Sequence, residues 1–112
     1  MNKIGMDDAG INEISVQELH ALMQQKADFR LIDVREPEEY AISHLGGELI
    51  PLAQLPLHLH TFDKKQLIIL HCKAGGRSLQ ALHLLKAAGF SNVKHVAGGI
   101  LAWAKEIDPT IA

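Results

Sequence analysis

The sequence predicts an α/β domain: a five-stranded, mostly parallel sheet with helices on both faces. Two observations carry that expectation. Strand-like and helix-like segments alternate about five times along the 112 residues, and chains of that pattern lay parallel strands side by side with the connecting helices packed over them. The segment Leu67-Ile68-Ile69-Leu70 is continuously apolar rather than alternating, as expected of a strand covered on both faces.

Each element follows from its local chemistry. Residues 11–14 alternate apolar and polar side chains and read as an edge strand. Ser15 followed by Glu18 has the spacing of a capping box and opens a helix to about Gln25, with Val16, Leu19 and Leu22-Met23 on one face. Residues 29–34 form a buried strand that ends in Asp33-Val34-Arg35. Glu36-Pro37-Glu38-Glu39-Tyr40 starts a short helix, with proline in its first turn and acids where the helix dipole favours them, closed by Gly46-Gly47. A third strand is expected over 48–52, then a short helix over 52–59 interrupted at Pro56. After the strand 67–71, a helix over 79–88 presents Leu79, Leu82 and Leu85 on one side and is capped by Gly89. Residues 93–97 supply the fifth strand, Gly98-Gly99 the turn, and residues 100–106 the last helix, with Pro109 ending regular structure. No segment has the composition of a linker or a repeat, so the domain is expected over 11–107, with tails at 1–10 and 108–112.

Composition narrows the function classes. Hydrophobic residues at 47% and charged residues at 21% are a globular balance. Eleven basic against thirteen acidic side chains form no basic stripe, so nucleic acid is not an expected partner. No apolar run is long enough for a membrane span, and a single cysteine cannot form an internal disulfide; a cytoplasmic protein is expected. The seven histidines lack the cysteine pairs or His-x3–5-His spacing of a zinc site, so no metal is expected, and most are read as solvated or half-buried.

The lone cysteine carries the chemistry. Cys72 ends the strand 67–71 and begins the turn Lys73-Ala74-Gly75-Gly76-Arg77-Ser78 before a helix. In open α/β sheets, sites lie beyond the carboxyl ends of the strands. Glycines at 75 and 76 allow backbone amides to turn inward, and the helix start adds its positive end, which lowers a thiol pKa and makes an accessible, nucleophilic thiolate. Arg77 would bind an oxyanion, fix the loop through backbone carbonyls, or stand as a solvated charge; Lys73 would sit at the mouth. Asp33 and Arg35 reach the same end of the sheet, where an ion pair between them and loop residues would be structural. His71 points to the other side of its strand, and no other histidine is placed near the thiol by sequence.

These residues resemble the rhodanese family, specifically its small single-domain sulfurtransferases. The resemblance is carried by residues 31–40, by 44–52, by Cys72-Lys73-Ala74-Gly75-Gly76-Arg77-Ser78 and by Gly98-Gly99-Ile100-Leu101-Ala102-Trp103, in that order. It implies a five-stranded sheet, and Cys72 taking sulfane sulfur as a persulfide. It also implies that the amides of Lys73 through Ser78 cradle the sulfur, and that no metal or organic cofactor is required. The implied donors are a small anion such as thiosulfate or a protein persulfide, and the acceptor is a thiol or a protein. Ser43, Glu48 and Lys73 depart from common family residues, and Lys73 leaves the donor open. Two other readings stay in play: a module that docks partners or senses oxidants without turnover, and a small phosphatase or arsenate reductase. The latter class uses a longer loop than the four residues between Cys72 and Arg77.

Overall fold

A computed structural model describes residues 12–111; the tail 1–10, the expected strand start at Ile11, and Ala112 lie outside the described residues. The elements run β1 (Glu13–Ile14), α1 (Val16–Gln24), β2 (Phe29–Asp33), α2 (Pro37–Ile42), β3 (Glu48–Leu49), a 3₁₀ segment (Leu52–Thr61), β4 (Leu67–His71), α3 (Gly76–Ala87), β5 (Val93–Val96) and α4 (Gly99–Glu106). The strands order as β1-β5-β4-β2-β3, and every pairing is parallel. The register sets Asp33 opposite His71 and Leu70 opposite His95.

Alternation along the strands divides the core into two layers. Ile32, Val34, Ile68, Leu70, Cys72 and Val93 face α3 and the 3₁₀ segment, packing on Leu55, Phe62, Leu82 and Leu85. Leu31, Ile69 and Val96 face the other way, onto Val16 and Leu19 of α1 and Trp103 of α4. Ser15 caps α1 as expected, its side chain accepting from the Glu18 amide while Glu18 accepts from the Ser15 amide. At the end of α3, Gly89 (φ +97°) turns the chain; its amide bonds Lys86 and that of Phe90 bonds Leu85, with both Leu85 and Phe90 buried.

Four elements depart from expectation, and the first is β3, which covers only Glu48–Leu49 of the expected 48–52. The segment 52–61 is one 3₁₀ run that passes through Pro56, because the fixed φ of proline fits that tighter coil and only its missing amide is lost. Helix α2 stops at Ile42, ahead of the glycines. Ser43 is already extended and Arg35 takes its carbonyl, so Gly46 (φ +90°) and Gly47 serve instead to lead into β3 against the Leu31 backbone. Helix α3 begins at Gly76, three residues early, with Gly75 (φ +119°) as its cap. Arg77 and Ser78 therefore belong to the first helical turn rather than to a loop, and that places their amides at the helix's positive end.

Candidate active site

The Cys72 side chain is shaped by what surrounds its two ends. Its carbon end belongs to the apolar layer beneath α3, and only 1% of the residue is exposed. The accessible thiol expected from sequence is thus a buried one. Its sulfur nevertheless points into the α3 N-terminus: Sγ accepts from the Gly75 amide at 3.2 Å and the Ser78 amide at 3.3 Å, with Ser78 Oγ at 3.6 Å. Burial pushes the thiol up, but the Ser78 amide and hydroxyl and the amides of Gly75 and Arg77 outweigh it and leave the thiol below its ordinary value. Of the amides over 73–78, those of Gly75 and Ser78 bond the sulfur and that of Arg77 adds to its stabilisation.

The carbonyl side of the turn is held from below. The amides of Ile100 and Leu101, at the start of α4, bond the carbonyls of Cys72 (2.9 Å) and Lys73 (3.1 Å). A Cβ at Gly99 would stand 2.4 Å from the Cys72 carbonyl oxygen, so the Gly98-Gly99 turn is what lets α4 approach this closely. With its carbonyls turned down, the turn is left with amides facing the sulfur. Of the two glycines in the turn itself, only Gly75 needs its left-handed backbone. A Cβ at Gly76 would meet nothing within 4 Å.

The Arg77 guanidinium is paired with a carboxylate, a partner that the sequence did not suggest. Its Nη1 and Nη2 donate to the two carboxylate oxygens of Glu39 at 2.7 and 2.9 Å. That fork holds the Glu39 carboxyl far below the usual range, at about 2, so it is ionised at any ordinary pH. The sequence offered no sign of Glu39 because the partners are 38 residues apart.

Asp33 and Arg35 pair with each other rather than with residues of the Cys72 turn. The Arg35 side chain donates to both Asp33 oxygens (2.8–3.1 Å) and to the Ser43 carbonyl, tying α2 to the end of β2. Alternation puts this pair, with His71, on the sheet face opposite Cys72. His71 is fully buried with Nε2 3.8 Å from Asp33, so it makes no dyad with the neighbouring cysteine.

A histidine that sequence reasoning did not place does approach. His95 shares the Val93 face of β5, and its Nδ1 lies 3.2 Å from Ser78 Oγ, while Nε2 stands 3.5 Å from Glu13 on β1. His71 and His95 are buried, while the other five histidines are half-buried or exposed, as expected for most of them. Strand alternation from Val93, combined with the β4–β5 register, would have been the available signal.

Beside the turn, Arg35, Glu39, Ile42, Lys73, Ile100 and Leu101 line a cavity of about 270 Å³. A larger depression of about 400 Å³ lies between Phe29, Leu31 and the 45–48 turn, away from Cys72 and without a nucleophile; its Arg30 is committed to Glu48. The smaller cavity is the one with chemistry at its edge. Among the described residues no helix is long and apolar enough to cross a membrane.

The sequence pattern of the Rhodanese-like domain matches residues 15–106. A sulfurtransferase of Allochromatium vinosum is 31% identical over 103 residues, covering 91% of this chain and 96% of that protein. The probable adenylyltransferase/sulfurtransferase MoeZ of Mycobacterium tuberculosis is 40% identical over 106 residues, which is 86% of this chain but 25% of that longer protein. The crystal structure of a rhodanese-like domain protein from Staphylococcus aureus superposes with a TM-score of 0.77 at 31% identity, covering 86% of this chain and 94% of that one.

Proposed function

Because the chain belongs to the rhodanese-like family, we propose that it moves sulfane sulfur through a persulfide on Cys72, from thiosulfate or a protein persulfide to a thiol or protein acceptor. The observation that supports this reading is the Cys72 sulfur accepting two backbone amides at the start of α3. Dipoles fixed in that way stabilise negative charge on sulfur in the thiolate and in the leaving group alike.

The reaction has two halves. The Cys72 thiolate attacks the outer sulfur of the donor; a bond forms between the two sulfurs, the donor's own bond to that sulfur breaks, and sulfite or a thiolate leaves. An acceptor nucleophile then attacks the outer sulfur of the persulfide, and the Cys72 thiolate departs into the same amides. No external oxidant or reductant enters, since sulfur passes between centres of matching oxidation state. The 270 Å³ cavity, with Lys73 of the turn in its lining, is the place where donor and acceptor would dock.

The geometry disfavours phosphoryl chemistry. The loop is short, and Arg77, which such a reaction would need on the oxyanion, is bound to Glu39. Incubation with thiosulfate followed by intact-protein mass measurement should show a gain of about one sulfur atom, lost in Cys72→Ser. A wild-type mass that never changes with thiosulfate or with a low-molecular-weight persulfide would reject the reading.

A further inference from the structure

A buried thiol must give up its proton to something before it can attack, and Cys72 has almost no contact with solvent. Among the described residues its sulfur touches one group able to move a proton onward, the hydroxyl of Ser78, which is itself fully buried. Beyond that hydroxyl stands the His95 imidazole, 5% exposed, and beyond the imidazole the half-exposed carboxylate of Glu13. The series Cys72 Sγ, Ser78 Oγ, His95 Nδ1 and Nε2, Glu13 Oε2 has steps of 3.6, 3.2 and 3.5 Å and runs from the buried sulfur to the protein surface.

We propose that Ser78 and His95 form a proton relay that takes the proton of Cys72 when the thiol becomes the nucleophile. The inference rests on the sulfur-transfer reading, and it assigns to His95 a positioning role exerted through Ser78. In the forward step the Sγ–H bond breaks and its proton passes to Ser78 Oγ, while the hydroxyl's own proton passes to His95 Nδ1. The products are a thiolate, a neutral hydroxyl now donating to that thiolate, and an imidazolium whose Nε2–H faces Glu13. No electrons change hands, and the buried network stays neutral overall. The imidazolium then balances the persulfide anion, and the same path returns a proton to Sγ when the acceptor has left with the outer sulfur.

The surroundings of His95 suit an acceptor. Burial holds its pKa below the ordinary value, with His83 on α3 acting in the same direction and Glu13 on β1 opposing, so the ring is neutral at rest and can receive a proton at Nδ1. Lys86 on α3 is engaged by Asn12, whose carbonyl accepts the His95 amide. Ser78 Oγ also lies 3.1 Å from the Gly75 carbonyl, an acceptor for the same single proton, so the hydroxyl turns from that carbonyl to His95 Nδ1 when the relay acts. The oxygen's position is set by the turn that cradles the sulfur.

The test is the pH dependence of Cys72 alkylation by iodoacetamide, which reads thiolate directly and needs no sulfur donor. His95→Asn keeps a hydrogen-bonding group near the Nδ1 position but cannot take up a proton. The expected result is a midpoint about one pH unit higher and a rate at pH 7 lower by about tenfold. Ser78→Ala should do at least as much, and the double variant should lose no more than Ser78→Ala alone, because His95 acts only through that hydroxyl. A His95→Asn profile that superposes on wild type, or losses that multiply in the double variant, would overturn the relay. If the variants fail to fold by thermal melting, 15N NMR of the imidazole in wild type and Cys72→Ser decides: the His95 titration should move between the two, and an unchanged midpoint overturns the proposal. Failure of the sulfur-transfer reading would show separately, as a wild-type mass that thiosulfate leaves unaltered while alkylation still responds to His95.

Discussion

Two buried polar clusters stand back to back at the same end of the sheet, and they are finished in opposite ways. On one face, Asp33 and Arg35 satisfy each other through a three-bond fork, and the remaining guanidinium reach is spent on the Ser43 carbonyl. On the other face, Cys72, Ser78 and His95 are linked by single, longer contacts, and each member retains a position where a proton can arrive or leave. Both clusters carry the cost of burying polar groups; the Asp33–Arg35 pair is saturated, although neither ring nitrogen of the neighbouring His71 has a hydrogen-bond partner among the described residues. A saturated cluster fixes helix α2 and has little freedom to react. The unsaturated one contributes less to stability and keeps a nucleophile available.

The sharpest way to break this contrast is to remove one partner from each side. Asp33→Ala leaves the Arg35 guanidinium, 4% exposed, without its counter-charge and should cost 3–5 kcal/mol of unfolding free energy, roughly the loss for breaking a buried pair. Ser78→Ala removes the hydroxyl that contacts Cys72, His95 and the Gly75 carbonyl on the other face and should cost only about 1–2 kcal/mol while slowing alkylation of Cys72 by at least tenfold. Urea unfolding of both variants checks the first claim and alkylation the second. Equal stability losses would mean that the clusters are not different in kind.

Acidity separates the two faces next. His71 lies beside the saturated pair, and burial, aided by Arg35 and opposed by Asp33, pushes its pKa down to about 4. A depressed histidine is neutral in the folded state and protonated earlier in the unfolded one. Its contribution is therefore complete above about 6.5 and is lost as pH falls toward 4. Stability should drop on the order of 2–3 kcal/mol across that window, and His71→Leu should flatten the slope. Denaturant midpoints at pH 7, 5.5 and 4.5 measure it; a slope that persists in the variant would assign the proton elsewhere.

Between the faces sits the Arg77–Glu39 fork, which decides how a charged donor meets the turn. Glu39→Gln frees the guanidinium and should raise kcat/KM for thiosulfate by roughly threefold to tenfold, an increase that salt suppresses, while a neutral persulfide donor responds little. The stability change should stay under about 1 kcal/mol, since both side chains are near the surface. Mild acid cannot imitate the substitution. The fork's stabilisation is present above the ordinary carboxyl range and is lost only as pH falls toward about 2.

These expectations differ in how much of them could be read from the chain. The strands, the helices and the Cys72 turn were legible because each is dictated within ten or so residues: Leu67–His71 by its apolar run, α1 by Ser15 and Glu18, the turn by Gly75. The fork and the relay were not. Glu39 meets Arg77 across 38 residues and His95 meets Ser78 across 17, and neither spacing follows from local periodicity. Burial of the thiol was also missed, because Cys72 extends the inward phase of Ile68 and Leu70 into a turn whose polarity suggested solvent. Asp33 and Arg35 were legible as supporting residues at a strand end, but their pairing with each other, rather than with the loop, was not.

The smallest expected effect tests whether the reactive cluster depends on one strained residue or on the whole glycine pair. Gly75 adopts φ +119°, where any side chain is strained, and its amide is one of the two on the sulfur. Gly76 is the first residue of α3 in open space. Gly76→Ala should therefore stabilise the protein by roughly 0.4–1 kcal/mol, through the restricted unfolded chain and better helix propensity, and leave Cys72 alkylation unchanged. Gly75→Ala should destabilise by at least as much and slow alkylation, because relieving the strain turns an amide away from the sulfur. Opposite signs from adjacent positions in one turn are what a cradle built on Gly75 requires. If Gly76→Ala slowed alkylation as well, the amide geometry would extend further into the helix than the two contacts at 3.2 and 3.3 Å.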